Sequence, residues 1–166
     1  GRSSQSGLAP SGVSSATAAH IGDLLRRYDA LKGPSAALKR KLEIQKAYYE
    51  LLIELNIELK WIADKMAALE STKLGSSLYE AQSQMTKFRQ HIDLDIKGHE
   101  QPLSRLLARS QEVVRETDKN VKPIQELVEN VESEWQRLKN AADKRRKLVE
   151  DVLAVQQCVA DVDDLE

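Results

Sequence analysis

The sequence predicts an all-α protein: an elongated antiparallel three-helix bundle whose helices continue into neighbouring units. Three observations predict it. Glycine and proline are concentrated at the front: five of the seven glycines and two of the four prolines fall in residues 1–34, and neither occurs over 35–74 or 124–166. Apolar residues recur in alternating steps of three and four, the heptad seam of helices that pack on other helices. Charged residues make up 31% and aromatic residues 4% of the chain, the balance of long coiled helices.

The elements follow in order. Residues 1–19, rich in Ser, Gly and Ala, read as a flexible tail. The first clear helix is expected over about 36–72, where Tyr48, Leu52, Leu55, Leu59, Ile62, Met66 and Leu69 form an unbroken seam. The stretch STKLGSS then reads as a loop, with Gly75 as the helix stop. The second helix is expected over about 78–117. Its stripe runs Leu78, Ala81, Met85, Phe88, Ile92, Ile96, His99, Leu103, Leu106, Ser110, Val113, with two successive steps of four across Phe88, Ile92 and Ile96 that amount to a phase shift. Pro102 lies within it and predicts a bend near Gly98–Pro102. The connection TDKNVKP follows, with Pro123 suited to a first helical turn and Asn120 or Asp118 to its cap. The third seam is Ile124, Val128, Val131, Trp135, Leu138, Ala142, Arg145 and Val149, and it continues through Val152, Val155, Val159 and Val162 without a break. One helix of more than 40 residues is therefore expected to reach the end of the chain.

Two segments resemble each other. Ile21, Tyr28 and Leu31 precede the basic KRKLE at 39–43, and Val128, Trp135 and Leu138 precede KRRKLVE at 144–150, at a period of about 107 residues (Ile21 to Val128). These residues resemble the spectrin repeat. Trp61 in ELKWIADK is similar to the central tryptophan of that family's first helix. LGSSL at 74–78, Ile92, Ile96 and His99-Glu100 are similar to its second helix. Trp135, Leu138, Ala142, Arg145 and Val149 are similar to its third. VADVDDLE at 159–166 looks like the lead-in to a following repeat. The resemblance covers residues 20–166. It implies a third helix of a preceding repeat over 20–50, a complete repeat over 51–151 and the start of another over 152–166. Three features depart from the family pattern: Tyr28 stands where a tryptophan is usual, the pair Gly33-Pro34 interrupts the first segment, and Glu58 replaces an apolar residue three before Trp61.

Composition and motifs narrow the function. Lys and Arg total 25 against 26 Asp and Glu, without the basic excess of a nucleic-acid module. No apolar run is long enough to span a membrane, and no secretory signal opens the chain. Cys158 is the single cysteine, which fits a reducing compartment and rules out an internal disulfide. Within a helical pattern and without a nearby histidine in sequence, Cys158 reads as a small hydrophobe, not a nucleophile. His20, His91 and His99 lack the close spacing of metal ligands. No phosphate-binding glycine loop or hydrolase motif occurs, so the chain reads as non-catalytic, with no cofactor, metal or small-molecule substrate. Trp61, Ile62, Phe88, His99, Trp135 and Leu138 are expected in the core. Ile21, Leu24, Leu25, Tyr28 and Leu31 form an apolar stripe without two helices of its own, the candidate partner-binding face. That stripe belongs either to an excerpt of a longer array or to a natural partial repeat. In the latter case the resemblance implies docking onto two helices of another chain. The clusters 39–41 and 144–147 read as solvated faces paired with Glu43 and Glu150, with a membrane surface as the weaker alternative.

By resemblance, the function implied is a structural spacer in a cytoskeletal rod, of the spectrin, spectraplakin or nesprin type. It would be cytoplasmic, at the cytoskeleton or membrane cortex, with other such repeats or cytoskeletal proteins as partners. A specific docking module acting through residues 20–50 is the alternative.

Overall fold

A computed structural model describes residues 11–165, apart from the side chains of 11–14, 31, 32 and 34. The described elements are α1 (Ser11–Glu70), α2 (Leu78–Phe88), one π-helical turn (Arg89–Asp93), α3 (Leu94–Glu116) and α4 (Lys122–Leu165). No strand occurs among the described residues. The chain divides into two compact units, Gly1–Ile44 and Gln45–Glu166.

The first unit contributes the early part of α1. Helix begins at Ser11, so the described part of the expected tail, 11–19, is helical; residues 1–10 lie outside the description. Helix also runs through Gly33-Pro34. A proline in a helix removes one hydrogen bond and crowds the carbonyl four residues back. Here that residue is Ala30, which is exposed, and no atom lies within 4 Å of where a Cβ on Gly33 would stand. Asp23 pairs with Arg26 and Arg27, and Arg40 with Glu43, along this helix.

The second unit is an antiparallel three-helix bundle. Its members are α1 from Gln45 onward, the α2–π–α3 run, and α4. Ion pairs fix the direction: Glu50 and Glu54 meet Arg109, Glu58 meets His99, and Lys65 meets Asp95, in opposite order along α1 and α3. The core alternates as a seam should. Tyr48, Leu51, Leu55, Ile62 and Leu69 are buried from α1; Ala81, Met85, Phe88, Ile92, Ile96, Leu103 and Val113 from the middle run. Helix α4 contributes Ile124, Val131, Trp135, Leu138, Ala142 and Val149. Burial of this apolar area is the main favourable term.

The phase shift takes a definite form. The Leu94 N–H donates to the Arg89 carbonyl five residues back, which makes the turn π-helical. Phe88, Ile92 and Ile96 span one residue more than a heptad, and the wider turn takes up that residue. All three therefore stay buried. Helix α3 then continues through Pro102, which is exposed, as is Gly98, whose carbonyl the prolyl ring would crowd.

The connections are capped. Ser77 accepts from the Glu80 N–H, and the Glu80 carboxylate accepts from the Ser76 N–H at 2.9 Å, a variant of the reciprocal capping box. Gly75 is not the stop of α1, which ends at Glu70, and its φ is not positive. Its role is close approach: a Cβ there would lie 2.2 Å from the Ala81 nitrogen. At the other end the Asn120 side chain accepts from the Lys122 N–H, one residue before Pro123. The buried Tyr48 hydroxyl donates to the Asn120 carbonyl at 2.8 Å, tying that connection to α1.

Candidate functional site

Three features of the structure are candidates for function: a polar and aromatic layer at the centre of the bundle, an exposed stripe on α1, and the basic clusters.

The central layer takes one ring from each helix of the bundle. Trp61 of α1 and His99 of α3 are stacked, with centroids 3.8 Å apart and planes 9° from parallel. Trp135 of α4 closes the group, 6.2 Å from Trp61 and 5.9 Å from His99. The His99 Nε2 meets the Glu58 carboxylate, so the ring nitrogen there carries the proton it donates. Glu58, the acid standing at an apolar family position, is thus the partner of a half-buried histidine. Lys65 lies over the Trp61 ring, 5.6 Å from its centroid, and Lys139 over the Trp135 ring at 5.8 Å, which sets an ammonium against each indole. Of the residues expected in the core, Ile62, Phe88, Trp135 and Leu138 are buried, whereas Trp61 and His99 are half-buried. The His99–Glu58 contact and the stacked Trp61 and His99 rings link α1 to α3, and Trp135 adds α4, which suits the layer to holding three helices in register.

Flanking this layer are ion pairs that sequence reasoning missed. Arg109 donates to Glu50 at 2.6 Å and to Glu54 at 3.2 Å. Its hydrogen bond to Glu50 raises the Arg109 pKa above the ordinary guanidinium value, and the same bond lowers Glu50. Arg146 reaches across from α4 to Asp93 at the π turn, at 2.5 Å, and to Asp143 on its own helix at 2.7 Å. The Asp93 bond, then Asp143, raises the Arg146 pKa against the opposing effect of burial. The expected pairing of the basic cluster 144–147 with Glu150 is not found among the described residues, where Arg146 pairs across helices with Asp93 instead. The only sequence signal for these pairs is opposite charge at matching heights of antiparallel helices, which is legible once the loop lengths set the register.

The stripe on α1 is described at four of its five positions. Ile21, Leu24, Leu25 and Tyr28 are exposed; the Leu31 side chain lies outside the described residues. A second exposed seam lies on α4, where Val155, Val159, Val162 and Leu165 follow the last fully buried position, Val149. Cys158 is exposed on the same stretch. Among the described residues, no group of three or more His, Cys, Asp or Glu is placed to hold a metal ion, and no helix is long and apolar enough to cross a membrane.

Comparison with known proteins agrees with this geometry. The family model of the spectrin repeat matches residues 46–151. The chain is similar to the spectrin beta chain of Drosophila melanogaster, 25% identical over 143 residues, which is 86% of this chain and 6% of that protein. It is 28% identical over 141 residues to the erythrocytic spectrin beta chain of Mus musculus, 85% of this chain and 7% of that one. The mouse erythrocytic spectrin alpha chain 1 is 27% identical over 143 residues, 86% and 6% of the respective lengths. The chain thus spans 6–7% of the length of these relatives. No solved structure matches it.

Proposed function

The chain belongs to the spectrin-repeat family, and from that premise we propose that it is one spacer element of a cytoskeletal rod protein, load-sharing and elastic. The family is structural and non-catalytic. One observation carries the reading: α4 runs on to Leu165 past the last fully buried core layer at Val149, with its heptad seam intact and exposed. A helix that leaves one bundle with its seam in phase is suited to open the next, and a shared helix transmits tension between neighbours. Residues 152–166 then form the first helix of a following repeat, 51–151 the complete one, and 20–50 the third helix of a preceding one. The partners are other such repeats or cytoskeletal proteins, in the cytoplasm at the cytoskeleton or cortex.

Force spectroscopy on the chain held between its two ends tests this. A cooperative event that releases roughly 30 nm, from about a hundred residues at 3.3–3.6 Å each less the folded length, is expected. Extension without such an event would exclude an elastic spacer.

The exposed Ile21, Leu24, Leu25 and Tyr28 favour a second reading, in which this stretch of α1 docks onto two helices of another chain. Leu24→Ala with Tyr28→Ala separates the two. A spacer keeps its unfolding event and its mass in solution; a docking element loses capture of a two-helix partner segment.

A further inference from the structure

An open groove of about 510 Å³ lies where α1 ends and α2 packs back against it. Its rim carries Lys73, Lys87 and His91, with the hydroxyls of Ser71 and Thr72 and the Gln84 amide between them; its floor is Phe88 and Ile92. Two other grooves on the same bundle mix charges, Arg115 with Glu129 in one and Lys144 and Arg145 with Glu70 in the other. This groove has no carboxylate in its lining.

Glu70 adjoins the groove at Ser71 but does not line it, and three other nearby acids are already engaged. Asp93 is held by Arg146, Asp95 by Lys65 and Glu80 by Ser76. Lys73 and Lys87 form no ion pair among the described residues. The π turn contributes here as well. It sets His91 at the rim, while the His91 carbonyl accepts from Lys65 at 2.9 Å, which holds that turn against α1. The Ser71 and Thr72 hydroxyls both donate to the Ala68 carbonyl, at 2.8 and 3.2 Å, exposed bonds that a stronger acceptor can replace. Two uncompensated ammonium groups, an imidazole and two hydroxyls around one opening match a compact, highly charged oxyanion with several acceptor oxygens.

We propose that this groove is a binding site for a phosphate-monoester ligand, either a phosphorylated inositol lipid headgroup or a free sugar phosphate of the same chemistry. The inference is independent of the spacer reading. The net charge of −1 supplies no long-range attraction, so recognition is local and sensitive to salt.

The test is a titration of the full chain with inositol 1,4,5-trisphosphate, followed by amide chemical shifts. Saturable shifts centred on 71–73 and 84–91 are expected. K73E with K87E should weaken binding by about tenfold or more, and K144E with K147E by less than about twofold. All four lysines are charged surface residues, and circular dichroism of each variant checks that the bundle is intact. Non-saturating shifts, or equal losses in the two variants, would overturn the site. A second arm uses vesicles containing phosphatidylinositol 4,5-bisphosphate against phosphatidylserine vesicles of matched charge. Preference for the former, competed by the free trisphosphate, supports the headgroup as source. Binding of the free compound without vesicle capture supports the soluble source. Equal capture by both vesicles would overturn recognition of the phosphate monoester.

Discussion

Residues 21–31 and 128–138 carry the same pattern, an aliphatic, an aromatic seven residues on and a leucine three beyond that, and they meet opposite environments. Tyr28 is 61% exposed and Trp135 only 8%. Ile21 lies in the open, whereas Val128 is half-buried and Leu138 fully buried. Both segments are helical, so the helix does not depend on the burial of its seam. Heptad spacing therefore specifies a helix and the face it offers. Whether that face is covered depends on two further helices being supplied at the right height, which for 128–138 are α1 and the α2–π–α3 run.

The largest expected effect breaks this comparison at its aromatic positions. Trp135→Ala removes a buried ring from a layer shared by three helices and should cost about 3–5 kcal/mol in urea unfolding. Tyr28→Ala removes an exposed ring and should stay within about 0.5 kcal/mol. Equal losses at the two positions would mean that Tyr28 is covered in solution.

Next in size is Gly75→Ala. A methyl group there meets the backbone of Ala81, which is itself buried at the start of α2 and cannot swing aside as a flexible side chain would. A cost of about 1–3 kcal/mol is expected. Gly33→Ala, by contrast, places its methyl in open space and should leave stability unchanged or slightly raised through helix propensity. Thermal melts of the two variants, read side by side, measure how far close packing is confined to the second unit.

Much of the second unit is legible from spacing alone. Most seam positions of the three helices, the step at Ile92–Ile96 and the roles of Pro123 and Asn120 follow from periodicity and local chemistry, because each depends only on neighbours within a turn or two. The exception is in α1, where Leu51 is fully buried in place of the expected Leu52, and Leu52, Leu59 and Met66 are half-buried. Three things are not legible in that way. The extent of α1 is hidden because Gly33-Pro34 is a helix breaker by propensity, and a long exposed helix overrides one lost bond. The role of Gly75 is hidden because close approach involves a residue from the next element. The partners of Glu58, Arg109 and Arg146 are hidden because cross-helix pairing depends on register. The capping box at Ser77 and Glu80 is legible as S-x-x-E, since it needs only residues within one turn.

Glu58 sharpens the comparison within the central layer. Glu58→Ala leaves the His99 nitrogen without its acceptor and should cost about 1 kcal/mol. Glu58→Leu with His99→Leu replaces both partners by the apolar type usual in a seam and should recover most of that loss. A double-mutant cycle by urea unfolding gives the coupling. Coupling of zero would mean that the contact between them adds nothing to the layer, which would then rest on Trp61 and Trp135 alone.

The smallest effect is a titration. Hydrogen bonds from the Ser76 side chain, and then from its backbone N–H, hold the Glu80 carboxyl below its ordinary value of 4.5. The carboxylate is the bound form, so a depressed folded-state pKa stabilises the folded chain at pH above 4.5. That contribution fades as the pH falls through 4.5 toward the lower folded value, so stability should decline on the acid side. Ser76→Ala removes one of the two donors and should flatten the decline, while Glu80→Gln should remove this part of it. Melting temperatures of the three proteins across the acid range provide the reading. The change belongs to the N-terminus of α2 and should leave the helicity of residues 21–31 untouched, since that segment holds its helix without a bundle around it. A parallel loss of helix in both regions would mean that they melt as one, and the contrast between Tyr28 and Trp135 would then describe two faces of a single cooperative structure.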